Sequence, residues 1–397
     1  MTVPSPPTPI RPRLPIVAGL LFVDMLGFSA LLPLIPELQR QLGVSEVAIG
    51  ILVAGMPLGA ALLTLPMGRV TDVVGPRRVT VAGSVLVGVS FLAFAFLDTY
   101  GWLVAARVLQ GVGSTALWVA GPAWVALGDE AGRARRLATT TGAGMAGTIV
   151  GAGLGGWMAA AYGLLSSFVL LGVLVLAGAV VTLLATRRPA LQPPPTIGLL
   201  ATLAAGFRSA RFRTGAGATM LAALIGAAES AVLALALGRE GLDERALGVW
   251  MSLAGVALVV GQVSGPRVAS HIGMRRTMAI AGAFAGGLAV AAAVAPTVPL
   301  LLVMLVGLPL PLGWLYGLSL DLLAGGATEA GSTAAIGIAW WNLTWAIGAT
   351  LGPVAITATL QAADVGAAIA LVAGFAAAVV VVVVRGLADP LLRSRTP

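Results

Sequence analysis

The chain has 397 residues, of which 58% are hydrophobic and only 10% charged, whereas a soluble domain of this length carries about a quarter charged residues. Its mean hydropathy is +1.01 and its net charge +8. All 23 basic residues are arginine and there is no cysteine, so disulfide and thiolate chemistry are excluded. Such a chain cannot hide its apolar surface in one soluble core, and the bilayer must be its solvent.

Residues 1–13 are proline-rich, with Arg11 and Arg13, a composition expected of a disordered cytoplasmic tail. No signal-peptide pattern precedes the first apolar run, so the N-terminus is expected to be retained. A membrane-crossing helix needs roughly 20 apolar residues. Runs of that kind predict twelve spans, at 14–36, 46–67, 78–97, 101–125, 137–160, 164–186, 214–237, 246–266, 277–295, 298–321, 332–358 and 364–385.

The arginines lie in the short loops between spans, which speaks of topology rather than of a nucleic-acid partner. With the N-terminus inside, nineteen face the cytoplasm and only Arg40, Arg239 and Arg245 face out. That bias places both termini in the cytoplasm of a multi-pass inner (plasma) membrane protein.

The sequence also repeats itself. Gly50 matches Gly248, and Gly75-Pro76-Arg77-Arg78 matches Gly273-Met274-Arg275-Arg276, each 198 residues apart. Glu130-Ala131-Gly132 matches Glu329-Ala330-Gly331 at 199, and Gly147 and Gly151 match Gly348 and Gly352 at 201. The predicted fold is therefore all-α: two parallel six-helix repeats, 14–186 and 214–386, related by an axis along the membrane normal, with a substrate site between them near mid-bilayer. The linker 187–213 contains Pro193-Pro194-Pro195 followed by Arg208, Arg211 and Arg213, a pattern that suits a broken chain and then an interfacial helix. Residues 387–397 are expected to form a second cytoplasmic tail.

Several polar residues stand inside the spans. Asp24 lies about ten residues into the first and Glu229 about fifteen into the seventh. An intramembrane acid is a functional candidate by default, and these two are candidates for binding and releasing protons. Arg107 in the fourth span costs several kcal/mol in hydrocarbon unless it finds an acid or a wet cavity. Subtracting the 198-residue offset maps Glu229 onto Leu31, seven residues beyond Asp24. That is two turns along one helical face, so both acids are expected to look into one cavity with Arg107 beside them. Trp118, Trp340, Trp341, Asn342 and Trp345 are candidates to line a pocket for a flat or cationic organic molecule. His271, the single histidine, reads as a loop residue. Asp129, Glu130, Asp321 and Glu329 read as caps or gate pairs.

Four motifs carry a resemblance. Gly68-Arg69-Val70-Thr71-Asp72-Val73-Val74-Gly75-Pro76-Arg77-Arg78, between spans 2 and 3, resembles the cytoplasmic loop motif of the major facilitator superfamily. Its second copy has Ser270 where the aspartate stands in the first. Arg107-Val108-Leu109-Gln110-Gly111-Val112-Gly113 resembles that family's buried-arginine motif. Gly147-Thr148-Ile149-Val150-Gly151-Ala152-Gly153-Leu154-Gly155-Gly156 resembles the signature of its exporters, except that Ala152 replaces the expected proline. The first span, Phe22-Val23-Asp24-Met25-Leu26-Gly27-Phe28 to Pro33 and Pro36, resembles the drug:proton antiporter branch that includes tetracycline exporters.

The resemblance implies proton-driven export of a small drug-like compound by alternating access. It assigns proton coupling to Asp24, beside which Glu229 is read as the second coupling acid from its place in the span, and a conformational switch to Gly68, Asp72, Gly75, Arg77 and Arg78. Gln110 joins Trp118, Trp341, Asn342 and Trp345 as expected cavity residues, and Gly147, Gly151, Gly155 and Gly156 are expected to pack helices closely. Asp72 is expected to meet helix N-terminal amides or Arg78. The alternative is a proton symporter or facilitator for a sugar or other metabolite, which the scarcity of polar residues in the spans disfavours. A channel is disfavoured by the repeat. With no phosphate-binding glycine loop, metal-ligand cluster or nucleophile with a histidine base, an enzyme is not expected, nor a cofactor. Substrate, protons and lipids are the expected partners of a monomer.

Overall fold

The computed structural model describes residues 13–127, 132–185, 207–331 and 334–387. Asp129, Glu130, Pro193 to Pro195, residues 1–12 and 388–397 of the expected tails and most of the 187–213 linker lie outside the described residues, as do Arg11, Arg187, Arg188, Arg393 and Arg395, whereas Arg13, expected in the tail, begins the first helix.

Among the described residues the chain is helical throughout. The first half holds α1 (Arg13–Ala30), a short 3-10 turn (Leu32–Leu34), α2 (Ile35–Leu42), α3 (Glu46–Val74), α4 (Pro76–Phe96), α5 (Tyr100–Ala126), α6 (Arg133–Tyr162) and α7 (Ser166–Ala185). The second half holds α8 (Ala210–Arg239), α9 (Glu244–Ile272), α10 (Met274–Val294), α11 (Val298–Gly307), α12 (Pro309–Glu329), α13 (Ala334–Ala362) and α14 (Val365–Gly386). By length and composition, 11 helical segments can cross a membrane, with α1–α2 and α11–α12 each counted as one. The remaining long helix, α6, is richer in glycine, threonine and arginine, and packs against α1 and α9 in the place of the twelfth span.

Several expected boundaries move. Ser209 caps α8 by accepting from the Phe212 amide (3.4 Å), so the seventh span starts at Ala210 rather than 214, and Arg211 and Arg213 belong to its first turn rather than to an interfacial helix. The first span runs on through Pro33 and Pro36 to Leu42. The tenth, expected to be continuous, breaks between Gly307 and Pro309, because a proline nitrogen cannot donate to the preceding turn.

The internal repeat is visible in the packing. Gly147 of α6 abuts the Phe22 carbonyl and Gly151 the Leu26 carbonyl of α1, while Gly348 and Gly352 of α13 abut the Met220 and Leu224 carbonyls of α8. The carbonyls are 198 residues apart and the glycines 201. Ser45 and Asp243 cap α3 and α9 at equivalent places, accepting from the Ala48 and Ala246 amides (3.3 and 2.8 Å). At the other ends of these helices Gly75 and Gly273 have φ of +96° and +88°, a backbone that favours glycine. Gly68, expected to share in a close approach, stands inside α3 with open space where a Cβ would be, so Gly75 alone makes the turn.

The halves meet along a seam at the end away from the arginine-rich loops. There Arg239 pairs with Glu46, and Gln361 Oε1 accepts from the Val47 amide (3.2 Å). Ser252 Oγ accepts from the Gly153 amide (2.9 Å). Gly50 faces the Pro353 carbonyl and Gly156 the Glu244 carbonyl. At the arginine-rich end, clusters form within a half. Arg77 donates to the Leu183 carbonyl (2.9 Å), a favourable place for a cation at the end of α7. Arg211 pairs with Glu329 (2.9 Å), with Asp321 at 3.9 Å.

Candidate functional site: a central cavity between the halves

A cavity of about 380 Å³ lies between the halves, lined by α1, α3, α5 and α6 on one side and by α8, α9, α11, α12 and α13 on the other. Helices α4, α7, α10 and α14 contribute nothing to its wall. The wall is mainly apolar, with ring faces from Phe28, Trp118, Tyr316, Trp341 and Trp345. Phe28 and Trp345 come from opposite halves, their centroids 6.1 Å apart.

The α5 helix positions the polar side of this wall. Arg107, Ser114 and Trp118 recur at spacings of seven and four, which put them on one helical face. Arg107 is 1% exposed, lines the cavity, and donates to Gln110 Oε1 one turn further on. Ser114 Oγ and Trp118 Nε1 both donate to Asp24 Oδ2, at 2.6 and 3.1 Å. Asp24 is 0% exposed, and its Oδ1 has no hydrogen-bond partner among the described residues.

On the opposite wall Glu229 is 1% exposed, lines the cavity, and leaves Oε1 without a hydrogen-bond partner. On the same wall stand Tyr316 of α12 and Trp345 of α13.

The two acids thus stand differently from the expected pair. Glu229 faces the cavity, whereas Asp24 is set behind Ser114 and Trp118 and does not line it. The reason is rotational: the face of α1 that carries Asp24 packs on α5, and Met25, Phe28 and Ser29 line the cavity in its place. Asp24 and Arg107 are near enough for their charges to interact, but Arg107 forms no ion pair with a described residue. Gln110, expected at the substrate, is turned behind Arg107 and holds it. Trp118, Trp341, Asn342 and Trp345 line the cavity. Trp340 does not; it packs on Phe207 and Phe212 (centroids 4.8 and 5.8 Å), about 100° around α13 from Trp341.

Of the glycines, Gly147, Gly151 and Gly155 fit against α1, and Gly156 against α9 of the other half. Asp72 and Arg78 are exposed and make no hydrogen bond or ion pair with a described residue, so the expected Asp72–Arg78 pair is absent here. His271 ends α9, exposed, rather than sitting in a loop.

Ser114 and Tyr316 were not singled out from sequence. A serine seven residues after an intramembrane arginine was the available signal for the first; nothing local marks the second.

Two six-helix repeats around an apolar cavity with buried charges on both walls define a polytopic membrane protein. A family model described as Major Facilitator Superfamily matches residues 17–353, and the chain belongs to that family. Multidrug resistance protein 1 of Bacillus subtilis (strain 168) is 27% identical over 174 residues, 44% of this chain and 44% of its own length. Probable vesicular acetylcholine transporter-B of Danio rerio is 31% identical over 183 residues, 44% of this chain and 37% of its own. The chain thus spans less than half the length of these curated relatives. Among solved structures, the nucleoside transporter NupG superposes with a TM-score of 0.76 at 14% identity, covering 95% of this chain and 100% of that one. A bacterial homolog to the human lysosomal transporter Spinster, in an inward-facing and unoccupied conformation, gives 0.74 at 14% identity, covering 96% of each chain. At such identities the likeness is one of fold.

Proposed function

We propose that the protein exports a small organic, drug-like compound in exchange for protons, with Asp24 and Glu229 as the proton-binding groups. The observation that carries this reading is the placement of Glu229, a buried carboxylate whose Oε1 has no hydrogen-bond partner, among the residues that line a cavity walled by aromatic rings. Asp24 supports it from behind the wall: Ser114 and Trp118 line the cavity and also hold the carboxylate, so a ligand that moves the Trp118 ring disturbs the Asp24 hydrogen bonds. Partial likenesses to a multidrug resistance protein and to a probable acetylcholine transporter are consistent with an organic cargo.

On the orientation expected from the arginines, the seam closes the outer end of a plasma-membrane protein, and the arginine-rich end, where the ion pairs described stay within a half, faces the cytoplasm. The conformation then loads from inside. Opening the seam while the arginine-rich ends close gives alternating access, with Gly75 and Asp72 as parts of the switch. The boundaries 14–186 and 214–386 serve as the two moving bodies.

Everted vesicles acidified inside test the reading. Adding candidate compounds outside should release lumenal protons in proportion to compound taken up. Uptake accompanied by protons moving inward indicates symport, and uptake without proton movement indicates a facilitator; either result removes the antiport reading.

A further inference from the structure

Arg107 and Glu229 are the charge-bearing side chains that line the cavity, one from each half. Both are buried, and neither forms an ion pair with a described residue. Arg107 is steadied by Gln110 while its Nε lacks a partner, and Glu229 Oε1 also lacks one. Asp24, the other acid nearby, spends its hydrogen-bonded oxygen on Ser114 and Trp118 and forms no ion pair with the guanidinium. The wall between these poles is apolar and aromatic.

We propose that the cavity selects an amphoteric molecule: a flat aromatic body with a basic amine toward Glu229 and a carboxylate toward Arg107. The inference rests on the central cavity being the transport site, and names its substrate class. A guanidinium offers a planar fork that receives a carboxylate through two hydrogen bonds, and a carboxylate with a free oxygen receives an ammonium group. Phe28, Trp341 and Trp345 supply ring faces for the body. A lipophilic cation would satisfy Glu229 but leave Arg107 desolvated without an anion, and a lipophilic anion would do the reverse. A molecule with both groups at opposite ends satisfies both poles and adds no net charge to a cavity about to be closed. Because amine and proton compete for the same Glu229 oxygens, loading the amine displaces a proton.

The test uses the full chain in lipid nanodiscs and four ligands on one scaffold. These are an aminomethyl-naphthoic acid with the groups at opposite ends of the ring, its methyl ester, its N-acetyl derivative, and the doubly blocked form. Binding is read by calorimetry. The unblocked acid should bind at least about tenfold more tightly than either singly blocked form, the tenfold step being about 1.4 kcal/mol. Arg107→Gln should erase the preference for free acid over ester and keep that for free amine over N-acetyl; Glu229→Gln should do the opposite. Arg107→Lys, which retains the charge should the glutamine variant not fold, should keep a weakened acid preference. Equal binding of ester and acid, or loss of both preferences together in either variant, overturns the inference. If the ester binds alone and exchanges with protons, export by antiport stands and the amphoteric site falls. If no ligand binds and no compound releases protons, both fall.

Discussion

Arg239, at the end of α8, pairs with Glu46, at the start of α3, and so ties the second half of the chain to the first at the end away from the arginine-rich loops. The pair must part whenever that end opens. Because the chain has no cysteine, Glu46→Cys with Arg239→Cys can be bridged without background by a bifunctional thiosulfonate, which joins the two thiols through reducible disulfides. Bridging should stop transport and reduction should restore it, while ligand binding from the arginine-rich end persists. Full transport by the bridged protein would show that the seam does not open. Glu46→Gln alone should change rates less than about fivefold, since exposed pairs contribute only about 0.2 to 1 kcal/mol.

Asp24→Asn should abolish proton-driven transport and leave the protein folded. Asparagine keeps an acceptor for Ser114 and Trp118 but cannot exchange a proton. The readout pair is proton release from vesicles and the melting temperature of the purified protein. Undiminished proton-driven uptake by Asp24→Asn would remove this residue from the coupling.

The glycine-to-carbonyl contacts predict matched costs in the two halves. Gly147→Val and Gly348→Val each push a side chain into a carbonyl of the neighbouring helix, and overpacking of this kind costs about 1 to 3 kcal/mol. The two should lower thermal stability by similar amounts. Gly142→Ala, where the new Cβ meets nothing within 4 Å, should leave stability unchanged or raise it. A large loss in one half alone would break the equivalence of the repeats.

Asp72→Asn should slow transport while leaving ligand binding and melting temperature as they are. In this conformation Asp72 is exposed and holds no described residue, so its contribution is expected in the other state. A hydrogen bond to a charged group is worth about 1.5 to 3 kcal/mol, enough to unbalance two conformers a few kcal/mol apart. An unchanged transport rate would reduce the motif to a topology anchor.

Orientation is open to a direct check. A single cysteine introduced at Arg208 should react with an impermeant reagent only from the cytoplasmic side. Labelling from outside in intact cells would invert the topology.

Much of this architecture was legible because hydrocarbon imposes a one-dimensional rule: apolar length fixes span number, and Gly75 with Gly273 marks the repeat. What stayed hidden depends on rotation about helix axes. Asp24 and Glu229 both read as cavity acids, yet a turn of α1 sets Asp24 against Ser114 of α5, and nothing in the residues around Asp24 encodes that partner. Gln110 reads as a ligand contact and is a brace for Arg107. The break at Pro309 was written in the sequence, but hydropathy alone runs straight through it. Gly68 reads as part of the loop motif, yet nothing among the described residues lies within 4 Å of where its Cβ would be.

Part of the seam that closes one end of the cavity is glycine laid on backbone: Gly50 on Pro353, Gly156 on Glu244, Gly248 on Ala152. At those points the glycine has no side chain that must change rotamer when the halves shift. What has to be broken and remade at that end is a short set of side-chain contacts, the Arg239–Glu46 pair and the hydrogen bonds of Gln361 and Ser252. The latch of the transport cycle is then a few polar bonds rather than an interlocked core.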